Sequence, residues 1–287
     1  MKTSKVFHKD HPVLYLLPAL IILATLVGYP LINNLVSSFQ YDGVFPSVQN
    51  YANLFMDKIF RNDLKNTFTW LLYTVSLEMI IGLLIAVLLN MNIRFKKLFR
   101  TIFIIPWVTP AVVVCVVWKW IYNVDYGILN YLFKSVGIIA QNQLWLSDIN
   151  TVLICIAIVY VWKLSPFVMI MYLSGLQTIS NDIYEASRID GAGWFRQLYS
   201  ITIPLLFPIM RSVILISTIW SLNSFVYVYN MSRGGPARMS ELVQIFVYKT
   251  GIEQFNTTYS ATASIVFLLI VMMIAYVYIG TTEKYEA

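Results

Sequence analysis

Six long apolar runs, interrupted by almost no charge, constrain this chain more than any motif in it. A helix rises about 1.5 Å per residue and the hydrocarbon of a bilayer is about 30 Å thick, so about 20 apolar residues suffice to cross it. The runs lie at about 13–37, 66–90, 101–122, 149–176, 204–231 and 260–281. Buried helices of a large soluble core are the competing explanation. With hydrophobic residues at 59% of 287 and charged residues at 12%, such a protein could not cover its surface. The fold expected is an all-α polytopic membrane protein with six transmembrane helices, forming one membrane domain over residues 1–287.

Orientation follows from the basic residues. The first run comes after Lys2, Lys5 and Lys9, like the flank of a signal peptide. It is too long for one and shows no small-x-small cleavage site, so an uncleaved first helix is expected. Arg94, Lys96, Lys97 and Arg100 crowd the short loop after the second run, next to helix ends, where the positive-inside rule is strongest. Both termini are therefore expected in the cytoplasm. The net charge of +6 is accounted for by this distribution and needs no nucleic-acid partner. The outer segments 39–65, 123–148 and 232–259 are long enough for short surface helices.

Several chemistries have no residues to support them. The sequence has no Gly-x-x-x-x-Gly-Lys-Ser/Thr phosphate loop, so it is not expected to hydrolyse ATP. His8 and His11 are the only histidines and precede the first run, which leaves no catalytic triad and no metal site. Cys115 and Cys155 fall inside expected helices as packing residues. No catalytic residue, cofactor or metal is expected in the chain, and a membrane enzyme has no constellation behind it.

Charge inside a span is expensive and marks a functional candidate. Glu78 and Lys163 lie near the middle of the second and fourth runs. They can pair with each other, or one can face a solute path. Ser217, Trp220, Ser221 and Ser224 recur at i, i+3, i+4 and i+7, one face of a continuous helix. Hydroxyls beside a flat aromatic surface suit a sugar, which offers hydroxyls and apolar C–H faces. Helix–helix packing through serines is the other reading of the same face.

Between the fourth and fifth runs lies a polar, small-residue segment. Asp182 followed by Glu185 can start a helix, and Gly191 can end it in the left-handed conformation. The result is a short surface helix, about 182–190, on which Ala186 and Ser187 permit close approach of another backbone. Pro204 suits the first turn of the next span. On physics alone the segment is either a docking element or a simple connector.

Glu185, Ala186, Asp190, Gly191, Ala192, the Ile203-Pro204 pair and Pro208 resemble the EAA loop of binding-protein-dependent ABC importer permeases. The resemblance implies the type I importer permease fold, with an EAA-type coupling loop over about 178–203. It also implies that Glu185, Ala186, Ser187, Asp190, Gly191 and Ala192 dock on an ATPase subunit and pass its closure to the flanking helices. The implied partners are a second homologous permease, two ATPase subunits that bind ATP and Mg, an extracytoplasmic solute-binding protein, the sugar and membrane lipid. The implied location is a bacterial or archaeal plasma membrane.

Ser232-Arg-Gly-Gly-Pro236, Glu241-Leu-Val and Tyr259-Ser-Ala-Thr-Ala263 are similar to the carbohydrate-uptake, maltose-type branch. By position, that resemblance places Tyr160, Lys163, Phe167, Ser217, Trp220, Ser221 and Ser224 along the sugar path. An importer of glycerol phosphate or another anionic solute is the nearest alternative, with Lys163 meeting the anion. An ion-coupled secondary transporter is a more distant one, and neither an EAA-like loop nor the lack of internal repeats favours it.

Overall fold

A chain in hydrocarbon must satisfy its own backbone N–H and C=O groups, so each long apolar run becomes a helix. The computed structural model describes residues 12–283. Lys2, Lys5, His8, Lys9, His11 and Lys284 lie outside them. The chain runs through α1 (Pro12–Leu23), α2 (Tyr29–Ser38), α3 (Gln49–Met56), α4 (Lys58–Asn90), α5 (Lys96–Val108), α6 (Ala111–Ile121), α7 (Ile128–Ser135) and α8 (Val152–Leu176). It continues through α9 (Asn181–Ile189), α10 (Trp194–Gln197), α11 (Ile203–Ser221), α12 (Phe225–Ser232), α13 (Val243–Tyr248) and α14 (Thr257–Glu283). A π turn joins α1 to α2 and another joins α10 to α11, so each pair reads as one membrane helix.

Among the described residues, five helices are long and apolar enough to cross a membrane: Leu16–Ser38, Lys58–Asn90, Val152–Leu176, Trp194–Ser221 and Thr257–Tyr278. The sixth is a bent pair, α5 and α6, turned by 100° at Thr109-Pro110. The sequence leads one to expect a straight third span over 101–122; the structure breaks it. Pro110 has no N–H to continue the helix, and it forces the residue before it out of the helical region. Thr109 accordingly sits at φ −69°, ψ 133°. The short helices α3, α7 and α13 occupy the three expected outer segments, although α13 is packed into the protein rather than lying on its surface. The second span begins earlier than its apolar run, at Lys58, because the Asp57 carboxylate accepts from the Ile59 amide and caps it.

α8 is apolar on every side, as befits a helix surrounded by others. It packs most extensively against α4. Trp70, Thr74, Glu78, Gly82 and Ala86 recur every four residues on the buried face of α4. Gly82 makes the closest approach. A Cβ there would lie 2.5 Å from Val168 Cγ1, so only glycine lets the two backbones meet. The opposite face of α4, with Leu72, Ile80, Leu84 and Leu88, is exposed and apolar, ready for lipid or another membrane subunit.

The segment after α12 is sutured to the start of α4. Glu241 is fully buried and paired with Arg238 at 3.0 Å and Lys249 at 2.6 Å. Asn66 Nδ2 donates to the carbonyls of Arg238 (3.1 Å) and Glu241 (3.0 Å). Gly234, at φ 82°, takes a left-handed conformation in this segment and packs against Glu241, whose Oε2 would lie 3.1 Å from a Cβ at that position.

Candidate functional site

Two places combine exposed, unusual residues with defined geometry. The first is α9. Its cap differs from the expected one: the hydroxyl of Ser180 accepts from the Asp182 amide at 3.2 Å, so the helix starts at Asn181. At its other end the Gly191 amide donates to Arg188 O (3.0 Å) and the Ala192 amide to Ser187 O (2.9 Å). Those two bonds are a Schellman motif, and Gly191 fills its left-handed position at φ 77°, with open space where a Cβ would stand.

No residue of α9 is buried. It is held by one side only. Gln197 Nε2 donates to Ser187 Oγ (2.8 Å) and to Tyr184 O (3.3 Å), and the Tyr184 and Thr202 hydroxyls lie 3.0 Å apart. Ser187 therefore ties α9 to the entry of α11, while Glu185, Ala186 and Asp190 remain exposed. Ile189 is 88% exposed and Phe195 70%, apolar side chains projecting beside them. A cavity of about 410 Å³ separates α9 from Asn90, Met91 and Asn92 at the end of α4, so the helix is propped off the bundle and braced at its edge. The basic segment 91–100, whose last five residues begin α5 rather than a loop, thus lies at the same end of the molecule as α9.

The second place is a cleft of about 300 Å³ among Trp107, Tyr160, Leu164, Trp220, Asn223 and Tyr227. Both interruptions of the bundle reach it. Trp107 stands just before the break at Thr109-Pro110. Asn223 lies in the turn between α11 and α12, because the fifth span also stops early, at Ser221. The Leu222 carbonyl accepts from the Gln244 side chain. The cleft's wall continues in aromatic contacts: Phe167 lies 4.6 Å from Trp220 and 5.9 Å from Trp107, and Tyr160 lies 4.9 Å from Tyr227 (centroids).

This geometry divides the residues proposed for a solute path. Tyr160, Phe167 and Trp220 are brought together. Ser217, Ser221 and Ser224 are not on the same surface as the Trp220 ring: all three are essentially fully buried, whereas Trp220 is 38% exposed. Ser221 Oγ lies 2.5 Å from Thr74 Oγ1 against α4, and its carbonyl accepts from Trp70 Nε1. Ser224 lies past the end of α11, at the N-cap position of α12 but with no capping bond from its hydroxyl, so the i, i+7 register expected for it is not realised. The serine face is a packing face in these contacts.

Lys163 and Glu78 do not pair. Glu241 is the carboxylate that pairs with basic side chains, Arg238 and Lys249. Lys163 Nζ donates to Trp107 O at 2.7 Å and to Pro106 O at 3.4 Å. Glu78 is fully buried beside Ser217, one turn along α4 and α11 from the Thr74–Ser221 contact, and its carboxyl oxygens have no hydrogen-bond partner among the described residues. Trp107, Leu164, Asn223 and Tyr227 escape a reading by helical periodicity because two of them stand at breaks. The available signals were Pro110 after Trp107 and the polar Asn223-Ser224 step within an apolar run. Among the described residues no group of His, Cys, Asp and Glu could hold a metal ion.

Comparison with known proteins bears on the family and the fold. Residues 78–282 match the family described as binding-protein-dependent transport system inner membrane component. A probable ABC transporter permease of Pyrococcus horikoshii is 31% identical over 280 residues, 96% of each chain. The trehalose/maltose transport system permease MalF of Thermococcus litoralis is 31% identical over 254 residues, 86% of this chain and 85% of its own. A chain of a bacterial ABC transporter involved in import of the acidic polysaccharide alginate superposes with a TM-score of 0.84 over 95% of both chains. At 19% identity that last likeness is one of fold.

Proposed function

The chain belongs to the inner membrane components of binding-protein-dependent ABC transporters, and on that footing we propose that it is a permease subunit of an ATP-driven oligosaccharide or polyol importer. One observation carries the reading. Irregular backbone at membrane depth is tolerated only where it is enclosed by protein or lines a wet cavity, and the bend of the third span and the turn that ends the fifth span after Ser221 converge on the same aromatic cleft. Trp220, Trp107 and Tyr227 offer flat faces to sugar C–H groups, and Asn223 offers a donor and an acceptor to sugar hydroxyls. The anionic alternative, such as glycerol phosphate, needs a cation committed to the solute, but Lys163 is engaged by two backbone carbonyls.

The energy source is external to the chain. α9 presents Glu185, Ala186, Asp190 and Gly191 as the coupling surface for an ATPase subunit, with Ile189 and Phe195 as apolar anchors beside them. The partners are a second permease, two ATPase subunits carrying ATP and Mg, and an extracytoplasmic solute-binding protein. An ion-coupled transporter would have no use for a capped, propped helix on its surface.

Trp220→Ala tests the cleft. In vesicles containing the assembled complex, ATP-dependent uptake should fall roughly thirtyfold at low solute, since a central aromatic anchor contributes about 2 kcal/mol or more. Normal uptake across solute concentrations would place the path elsewhere. Orientation has its own test, in a background lacking Cys115 and Cys155. A cysteine replacing Ser47 should react with an impermeant thiol reagent from outside, and one replacing Arg94 should not. The reverse pattern would turn α9 away from the ATPase side.

A further inference from the structure

Lys163 sits in the middle of α8, 8% exposed, with its ammonium on the last carbonyls of α5. Why those carbonyls need a donor follows from the break. In an unbroken helix Pro106 O would accept from the amide of residue 110, but residue 110 is proline and has none. Trp107 O would accept from the Ala111 amide, which the 100° turn carries away. Two carbonyls would thus be left without a helical donor inside the membrane-spanning region, where an unpaired carbonyl is costly. Lys163 reaches across from α8 and donates to both.

We infer that Lys163 is the pin of the broken third span: a positioning residue that holds the bend and thereby sets Trp107 in the cleft wall. It acts through the Pro106 and Trp107 carbonyls and without touching the solute. The inference rests on the cleft as solute path for its consequence in transport, but the pin itself is a matter of α5, α6 and α8 alone. Removing the ammonium strands the carbonyls and frees the bend. Restoring a backbone donor at residue 110 makes the lysine dispensable to stability. That reciprocity separates a pin from a solute ligand or a generic buried charge.

The test uses the full complex in lipid nanodiscs, with Cys115 and Cys155 replaced by serine and spin labels on Ile102→Cys and Val116→Cys, one on each arm of the bend. Lys163→Met should broaden the interlabel distance distribution and move it to longer distances, with a fall in melting temperature of about 3–10 °C. Lys163→Arg, which keeps donors at that depth, should restore the narrow distribution. Pro110→Ala in the Lys163→Met background should recover most of the lost melting temperature, because the new amide can serve Pro106 O. An unchanged distance distribution in Lys163→Met, or melting shifts for Pro110→Ala and Lys163→Met that simply add, would overturn the pin. So would a rise in the KM for uptake with the bend intact, which is the behaviour of a solute ligand. If Trp220→Ala transports normally, the cleft reading fails, while these label distances still judge the pin because they involve no solute.

Discussion

α9 and the aromatic cleft are both built from interruptions of helix, yet they relate to the chain in opposite ways. α9 is local. Its N-cap, its Schellman ending and its brace through Gln197 all come from residues 180–202. The cleft is assembled from α5, α8, α11 and α12, and each interruption is repaired by a distant group: Lys163 serves the carbonyls of α5, and Gln244 serves Leu222. A surface helix can be specified by its own caps because water finishes whatever they leave undone. A break inside a membrane must be finished by another part of the protein.

That contrast can be broken most decisively at Gly191. A β-branched residue at φ 77° costs about 1–3 kcal/mol of backbone strain, and Gly191→Val should disrupt the end of α9. Uptake by the assembled transporter should fall about tenfold or more, with membrane insertion intact. Normal uptake and normal recovery of the ATPase with the permease would remove α9 from the coupling path. Within the bundle, Gly82→Val should force α4 off α8 and destabilise the permease by about 1–3 kcal/mol, read as a lower melting temperature in detergent. An unchanged melting temperature would mean that the α4–α8 contact yields easily.

Finer cuts distinguish the cleft from its packing. Asn223→Ala removes an exposed polar group from the cleft. It should raise the KM for uptake by up to about tenfold, the effect of one hydrogen bond of 0.5–1.5 kcal/mol, at unchanged melting temperature. Ser221→Ala should do the reverse. Thr74 keeps its bond to Trp70 O at 2.9 Å, so stability should fall by about 1 kcal/mol or less and KM should hold. A KM shift in Ser221→Ala would return the buried serines to the solute path.

Much of the architecture was legible because hydrocarbon imposes one rule on every segment. Apolar length gave the spans, the residue pattern around Glu185–Pro208 gave the likeness to importer permeases, and Gly191 announced its left-handed role. Helical periodicity then overreached at two points. It carried the third span straight through Thr109-Pro110, and it ran the serine face of the fifth span through Asn223 to Ser224. Periodicity assumes a continuous helix, and a proline or a polar step only permits a break without saying where the freed carbonyls go.

The partner of each freed carbonyl was a matter for the tertiary structure. Lys163 and Glu78 have equally suggestive positions in the chain, two charges at mid-span with opposite sign. Only the packing shows that the lysine faces the broken end of α5 and that the carboxyl faces Ser217 on α11. The chain's own residues determined that it crosses the membrane repeatedly and carries a capped helix between its fourth and fifth spans, because those features depend on neighbours within one or two turns. Which buried polar group meets which depends on helices far apart in sequence coming together at a given rotation and depth. In a solvent that offers no hydrogen bonds, that meeting decides what each of them can do.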